Sequence, residues 1–311
     1  MPSETIDGPL SEYAHDGADS DLGPMRMPSR PNPAVPPNGR PVRKDEIELT
    51  DRGLYIESWL PERRSRRKPL LFLHGELGGS WVWERYLAFF ASRGWEGHAL
   101  NLRNHFWSQT ADPAPLTFES YVADVLSALD RLGPDTVAVG HGMGGLLAMK
   151  AAERTRPQAL ILISPEMPAD LRTAARPFEL NEVPDAYGKR RIGWSALPEK
   201  LQHDQRDLSM ADVLRIQHLL GQKPHESGAA KRQMMRGVRV DRAAMAGMPK
   251  LVVGAGLDRQ VSEAESLRLA DWLGADYEPF GAHSHYGLVL GEESYLQVAE
   301  AIKAFLEANR L

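Results

Sequence analysis

Two hydrophobic rhythms alternate along most of this chain. Apolar runs of strand length at 69–73, 97–101, 136–140, 159–164, 250–254 and 277–280 are bounded by glycine, proline and polar turn residues, and they predict β-strands. Between them lie longer stretches with apolar residues at helical spacing. In 118–132, Tyr121, Val122, Val125, Leu126 and Leu129 fall on one face and Gly133 stops the run. Residues 83–93, 146–153, 262–273 and 294–308 read as further helices. The segments 46–49 and 54–60 flank Asp51-Arg52-Gly53, whose turn residues predict a hairpin. Strands that alternate with helices in this way imply an α/β protein with a mostly parallel central sheet and helices on both faces.

Two segments break the rhythm. From 165 to 248 the strand signal stops and the sequence becomes charged and helical. Ser209 and Asp212 are placed as a cap before a helix at 213–220, and 226–236 reads as another. This stretch is expected to be a helical lid inserted into the sheet, leaving 45–164 and 249–311 as the core. Arg172, Arg176, Lys189, Arg190 and Arg191 give it a basic sector, read as a solvated face. Residues 1–44 carry early acidic side chains and then a proline-dense stretch from Pro24 to Pro41, with too little apolar area to offset the entropy of ordering. They are expected to form a Pro-rich extension, and a candidate arm for a homo-oligomer or a protein partner.

Charge and composition narrow the chemistry. With 37 basic and 42 acidic residues, the formal charge of -5 argues against nucleic acid and gives no attraction to anionic membranes. The absence of cysteine excludes disulfides, thiolate metal sites and a cysteine nucleophile. No apolar run is long enough to span a bilayer and no secretory pattern opens the chain, so a cytoplasmic location is expected.

The most informative position is Gly142. Thr136-Val-Ala-Val-Gly140-His141-Gly142-Met143-Gly144-Gly145 is a β-branched strand entering a glycine-rich turn, and a helix-forming run follows. A strand, tight turn and helix with the pattern GxSxG is a nucleophile elbow, which holds a strained serine above a parallel sheet. Here the pattern is GxGxG. Glycine carries no Oγ, so no covalent acyl-enzyme can form at this position.

Other motifs follow in order. His74-Gly75-Glu76-Leu77-Gly78-Gly79-Ser80-Trp81 has the form HGxxGxxW, and 101–108 has the form LRGHGxS with Asn104 and Phe106 in place of two glycines. Gly254-Ala-Gly-Leu-Asp258 is a turn at a strand end, and Gly281-Ala-His-Ser-His-Tyr-Gly287 contains two histidines. Together with the elbow, these segments resemble the α/β-hydrolase family of esterase- and lipase-like enzymes over residues 45–311. The resemblance implies the α/β-hydrolase fold with an inserted helical lid. It also implies Asp258 as the acid that orients a histidine, and His285 as that histidine, with His283 as the second match. The backbone N–H groups of Glu76 and Met143 would be the oxyanion-hole donors. His74, Gly75, His141 and His283 would line the pocket. The Glu76 side chain has two readings, a general base with a raised pKa or, preferred, a surface glutamate facing solvent. Two histidines two residues apart with no third ligand make a poor zinc site, so no metal and no cofactor are expected. Ser284 is on the wrong loop to replace the elbow serine.

Three accounts of Gly142 stay open. The chain is a carboxylesterase-like serine hydrolase inactivated by an engineered Ser-to-Gly change. Or it is a natural pseudo-enzyme with a pocket for a small apolar or ester-like ligand, or an assembly subunit. Or His285 and Asp258 act as a general base on a water or a carbon acid without a covalent step. The departures at Asn104, Phe106 and Glu76 exceed a single engineered change and favour the second.

Overall fold

Strand β1 (Val42–Leu49) and β2 (Leu54–Pro61) form the expected antiparallel hairpin, with Leu49 opposite Leu54. A computed structural model describes residues 42–63, 65–173, 175–222 and 225–311. Because β1 begins at Val42, residues 42–44 belong to the core strand and not to the N-terminal extension. The assembly arm expected in the rest of 1–44 lies outside the described residues.

The chain continues through β3 (Leu70–Leu73), a 3-10 turn at Ser80–Trp83, α1 (Glu84–Ala91), β4 (Gly97–Asn101) and α2 (Phe118–Leu132). It then forms β5 (Val137–His141), α3 (Met143–Thr155) and β6 (Ala159–Ile163). Helix α2 starts at Thr117, whose side chain forms a reciprocal cap with Ser120, and ends at Gly133. Between β6 and the next strand of the main sheet lie α4 (Pro177–Asn181), β7 (Ala186–Tyr187), α5 (Pro198–Asp204), α6 (Met210–Gln222), β8 (Glu226–Ser227) and α7 (Gly228–Arg236). The core closes with β9 (Lys250–Ala255), α8 (Glu263–Leu273), β10 (Asp276–Phe280), the single turn α9 (Gly287–Leu290) and α10 (Ser294–Ala308).

The eight sheet strands take the order β1-β2-β4-β3-β5-β6-β9-β10. β2 is antiparallel to both neighbours, and every pairing from β4 to β10 is parallel. Alternation along β3 shows why both faces are apolar: Leu70 and Phe72 join the core under α1 and α10, Leu71 and Leu73 the core under α2, α3 and α8. Among the described residues no helix is long and apolar enough to cross a membrane.

The segment between β6 and β9 differs from its expected form in two respects. β7 and β8 pair antiparallel, Ala186 opposite Ser227, where no strand was expected. The helix expected at 226–236 starts at Gly228, with the Ser227 hydroxyl accepting from the Ala230 N–H at 3.1 Å, because the Glu226 carboxylate is drawn into the core. In the basic sector Arg176, Arg190 and Arg191 are exposed, as expected of a solvated face, whereas Arg172 and Lys189 are half-buried. Arg172 pairs with Glu166 at 2.5 Å and Lys189 donates to the Gln217 carbonyl at 2.9 Å.

Candidate active site

Gly142 links β5 to α3 with φ 55° and ψ −121°, a region that side chains enter only under strain. Space demands the two outer glycines of the GxGxG pattern. A Cβ on Gly140 would stand 2.3 Å from the Gly144 carbonyl oxygen, and one on Gly144 would stand 2.2 Å from that of Leu73. Space does not demand the middle one. A Cβ on Gly142 would lie 3.4 Å from His285 Nε2 and 3.9 Å from Gly75 Cα, both ordinary contacts.

His285 stands over this position because Asp258, on the turn after β9, holds its far side. Its Nδ1–H donates to Asp258 Oδ2 at 2.7 Å, and Asp258 Oδ1 accepts the N–H groups of Gln260 and Val261 at 2.7 and 2.9 Å. Burial by itself would raise the Asp258 pKa, but the His285 charge and these hydrogen bonds outweigh it and bring it down to about 2. An ionised Asp258 can only accept, which fixes the proton on Nδ1 and turns Nε2 toward Gly142. His283 is placed differently. Its Nε2–H donates to the Ser294 carbonyl at 3.3 Å and its ring packs against Phe280. Of the two histidines, His285 is the one that meets Asp258.

Two further histidines support the loops. His141 donates Nε2–H to the His285 carbonyl at 3.0 Å with the rings 4.2 Å apart; burial and then His285 hold its pKa well below the usual range. His74 donates Nδ1–H to the Gly75 carbonyl at 2.8 Å and accepts the Leu102 N–H on Nε2 at 3.3 Å. Burial, then the His105 charge, lowers its pKa to about 3, so it is a neutral scaffold of the loop after β3. Gly75 joins that loop to the elbow, since a Cβ on it would lie 3.4 Å from the His141 carbonyl oxygen and 4.0 Å from the Met143 nitrogen. Glu76 and Met143 line the same cavity as Gly142, and neither backbone N–H has a hydrogen-bond partner among the described residues.

The Glu76 side chain overturns the expectation of a solvent-facing glutamate. It is 7% exposed, pairs with Lys231 of α7 at 2.7 Å and accepts from the Tyr187 hydroxyl. Lys231 also lies 3.9 Å from Glu166, which bonds Arg172. Burial by itself would raise the Glu166 pKa, but the Lys231 and Arg172 charges lower it. A carboxylate between such cations stays ionised, and the pairing explains why the loop can carry Glu76 inward.

Glu166 and Lys231 escaped the sequence reading, and Arg172 was read there only as part of a solvated face. The signal for Glu166 was its place just after β6, at the carboxyl end of a parallel strand, where α/β sites form. Glu76, Trp81, Gly142, Glu166, His285 and Tyr286 are among the residues lining a cavity with about 20 Å3 of free space for water-sized guests, above the roughly 10–15 Å3 one water needs. Tyr286 carries the one hydroxyl in this lining. Burial, then the Glu76 charge, raises its pKa, which keeps it protonated. Ser284 is not in the lining; its hydroxyl accepts the Gly287 N–H at 3.2 Å.

A parallel sheet with an elbow at the end of β5, an acid after β9 and a histidine after β10 defines an α/β-hydrolase scaffold. The sequence profile of the alpha/beta hydrolase family matches residues 70–301, and the chain belongs to that family. It is 31% identical over 113 residues to esterase PIR7B of Oryza sativa subsp. japonica, a match covering 33% of this chain and 41% of that protein, less than half its length. Among solved structures, it resembles a thermophilic esterase from Thermogutta terrifontis, with a TM-score of 0.66 at 18% identity over 86% of this chain and all (100%) of that one. It also resembles a bromoperoxidase from Bacillus anthracis, with a TM-score of 0.64 at 15% identity over 85% of this chain and 100% of the other. At these identities the structural likeness speaks for the fold.

Proposed function

We propose that this chain is a non-hydrolytic member of the alpha/beta hydrolase family, a pseudo-enzyme that lacks the nucleophile and retains a small pocket over the elbow. The observation that carries the reading is Gly142 itself. The backbone holds the strained turn, His285 and Asp258 are bonded and aimed at it, and no side-chain oxygen stands there to attack. No other lining group replaces it: Tyr286 is held protonated, and Glu76 and Glu166 are engaged by Lys231 and Arg172. On this reading the segment between β6 and β9 serves as a lid, and its Lys231 keeps the cavity closed over the elbow.

Steady-state turnover of short acyl esters by the unmodified chain and by Gly142→Ser tests this. The expected result is turnover by Gly142→Ser alone. Turnover by the unmodified chain would overturn the non-hydrolytic reading.

A second reading is favoured by one feature, the unoccupied Nε2 of His285 beside a water-sized space. There His285 would take a proton from a water or a carbon acid while the Glu76 and Met143 N–H groups bind the developing oxyanion. This reading predicts slow hydrolysis without a burst, abolished by His285→Gln.

A further inference from the structure

We propose that Asp207 is a positioning residue for His285: from the segment between β6 and β9 it holds the turn that carries the histidine, so the ring stays over Gly142 only while that segment is seated. The turn at 283–287 is tied to the core on one side. The Leu257 N–H donates to the His283 carbonyl at 2.9 Å, and His141 donates to the His285 carbonyl at 3.0 Å. On the other side, both residues flanking His285 are held by the segment. Ser284 donates its N–H to Asp207 Oδ2 at 2.8 Å, and the Tyr286 ring meets Trp194 edge-on with centroids 4.9 Å apart.

Gly287 shows how closely Asp207 is fitted to this turn. A Cβ there would stand 1.6 Å from Asp207 Oδ2, and its three nearest neighbours would all be atoms of that carboxylate. The φ of Gly287 is not positive, so the approach of Asp207 and not the backbone conformation demands glycine. The Ser284 hydroxyl completes the joint, accepting the Gly287 N–H at 3.2 Å and donating to Gln205 Oε1 at 3.4 Å. Asp207 Oδ1, by contrast, is buried with no partner among the described residues. An unpaired buried oxygen opposes folding, so Asp207 adds little net stability and acts mainly through the Ser284 N–H.

A second tie between the segment and this region is weaker. Asp204 pairs with Arg259, next to Asp258, at 2.8 Å, but the Arg259 side chain is 68% exposed and solvent screens the pair. The two aspartates therefore have separate tasks. Asp258 fixes which ring nitrogen carries the proton and which way the ring faces, and Asp207 fixes where the backbone beneath the ring stands. A hydrogen bond weakens steeply once its atoms separate or misalign, so a shift of the 205–208 turn by about 1 Å releases Ser284. Movement of the segment thus reaches His285 through Asp207 and Trp194 with no change at Asp258. This holds whether or not the ring takes part in chemistry, and ester turnover has no bearing on it.

Proton NMR of the full chain with 15N-labelled histidine reads the ring directly. The Nδ1–H bonded to Asp258 gives a downfield resonance, assigned by its loss in His285→Gln. In Asp207→Ala this proton is expected to exchange with water about tenfold faster or more, the factor by which losing one hydrogen bond to a charged group favours local opening. Asp207→Asn keeps an oxygen for the Ser284 N–H and should restore slow exchange. Gly287→Ala, whose added methyl displaces the carboxylate, should match Asp207→Ala, and the double variant should add nothing further because both changes break one contact. Unchanged exchange in Asp207→Ala and Gly287→Ala, each shown by melting to be folded, overturns the proposal. Equal acceleration in Asp207→Asn and Asp207→Ala, or effects that add in the double variant, also overturns it, since either marks a general loosening of the fold. If Asp207→Ala does not fold, Gly287→Ala compared with Asp207→Asn decides alone.

Discussion

The three glycines of the GxGxG turn hold their places for different reasons. Gly140 and Gly144 are fixed by backbone oxygens closer than any Cβ tolerates, whereas Gly142 is flanked by ordinary contacts. Gly140→Ala or Gly144→Ala should therefore prevent folding or cost several kcal/mol, while Gly142→Ala should cost only the strain of its backbone region, about 1–3 kcal/mol. Urea unfolding of the three variants checks this, and equal losses would contradict it. The motif was legible in the sequence, but the difference among its glycines was not, because it depends on Leu73 and His285, far away in the chain. The same holds at Asn104 and Phe106, where the side chains differ from glycine but φ stays at 62° and 44°. Asn104 offsets its strain by accepting the Ala111 N–H at 3.1 Å and donating to the His225 carbonyl at 3.2 Å.

At the scale of elements, two carboxylates tie the segment between β6 and β9 to the loops around the elbow. Glu76 reaches from the loop after β3 to Lys231 and Tyr187. Glu226 of β8 reaches back, accepting the Leu77 N–H at 3.0 Å, the Tyr121 hydroxyl and His105 Nε2–H at 2.9 Å. His105 donates its other ring proton to the Arg103 carbonyl at 2.9 Å, so both nitrogens are donors and the ring is charged. Glu226→Gln leaves that cation buried without its counter-charge and should cost about 3–5 kcal/mol, measured by denaturant unfolding; a loss under 1 kcal/mol would show the pair to be dispensable. The helical character of this segment could be read from periodicity. Its anchors could not, since Glu226 looked like the first residue of a helix and its partner lies 121 positions away.

For the whole molecule, the alternating rhythm made the sheet, its covering helices and most element positions readable from the sequence. Strand order and the extra β7–β8 pair were not readable, because crossovers depend on packing that no local pattern encodes. Buried charge makes stability depend on pH in both directions. Glu226 and Asp258 titrate at about 2 in the fold, below their usual 4.5 and 3.8, so the stability they contribute is present above those values and is lost as pH falls toward 2. His105 has the opposite sign: burial would lower its pKa, but Glu226 raises it above 6.5. Its contribution is complete below 6.5 and is lost as pH rises through the folded value. Melting temperature should therefore peak between these limits and fall steeply in acid, with Glu226 alone contributing about 3 kcal/mol. Glu226→Gln should flatten the acid limb; an unchanged limb would place the titrating groups elsewhere.

The most direct measurement is intact mass after incubation with a fluorophosphonate, which bonds covalently to an activated serine beside an oxyanion hole. The unmodified chain is expected to keep its own mass, and Gly142→Ser to gain one adduct, because a Cβ fits beneath His285 and Asp258 already holds the ring. A stoichiometric adduct on the unmodified chain would contradict the absence of a nucleophile. A folded Gly142→Ser that stays unlabelled would contradict the claim that only the side chain is missing.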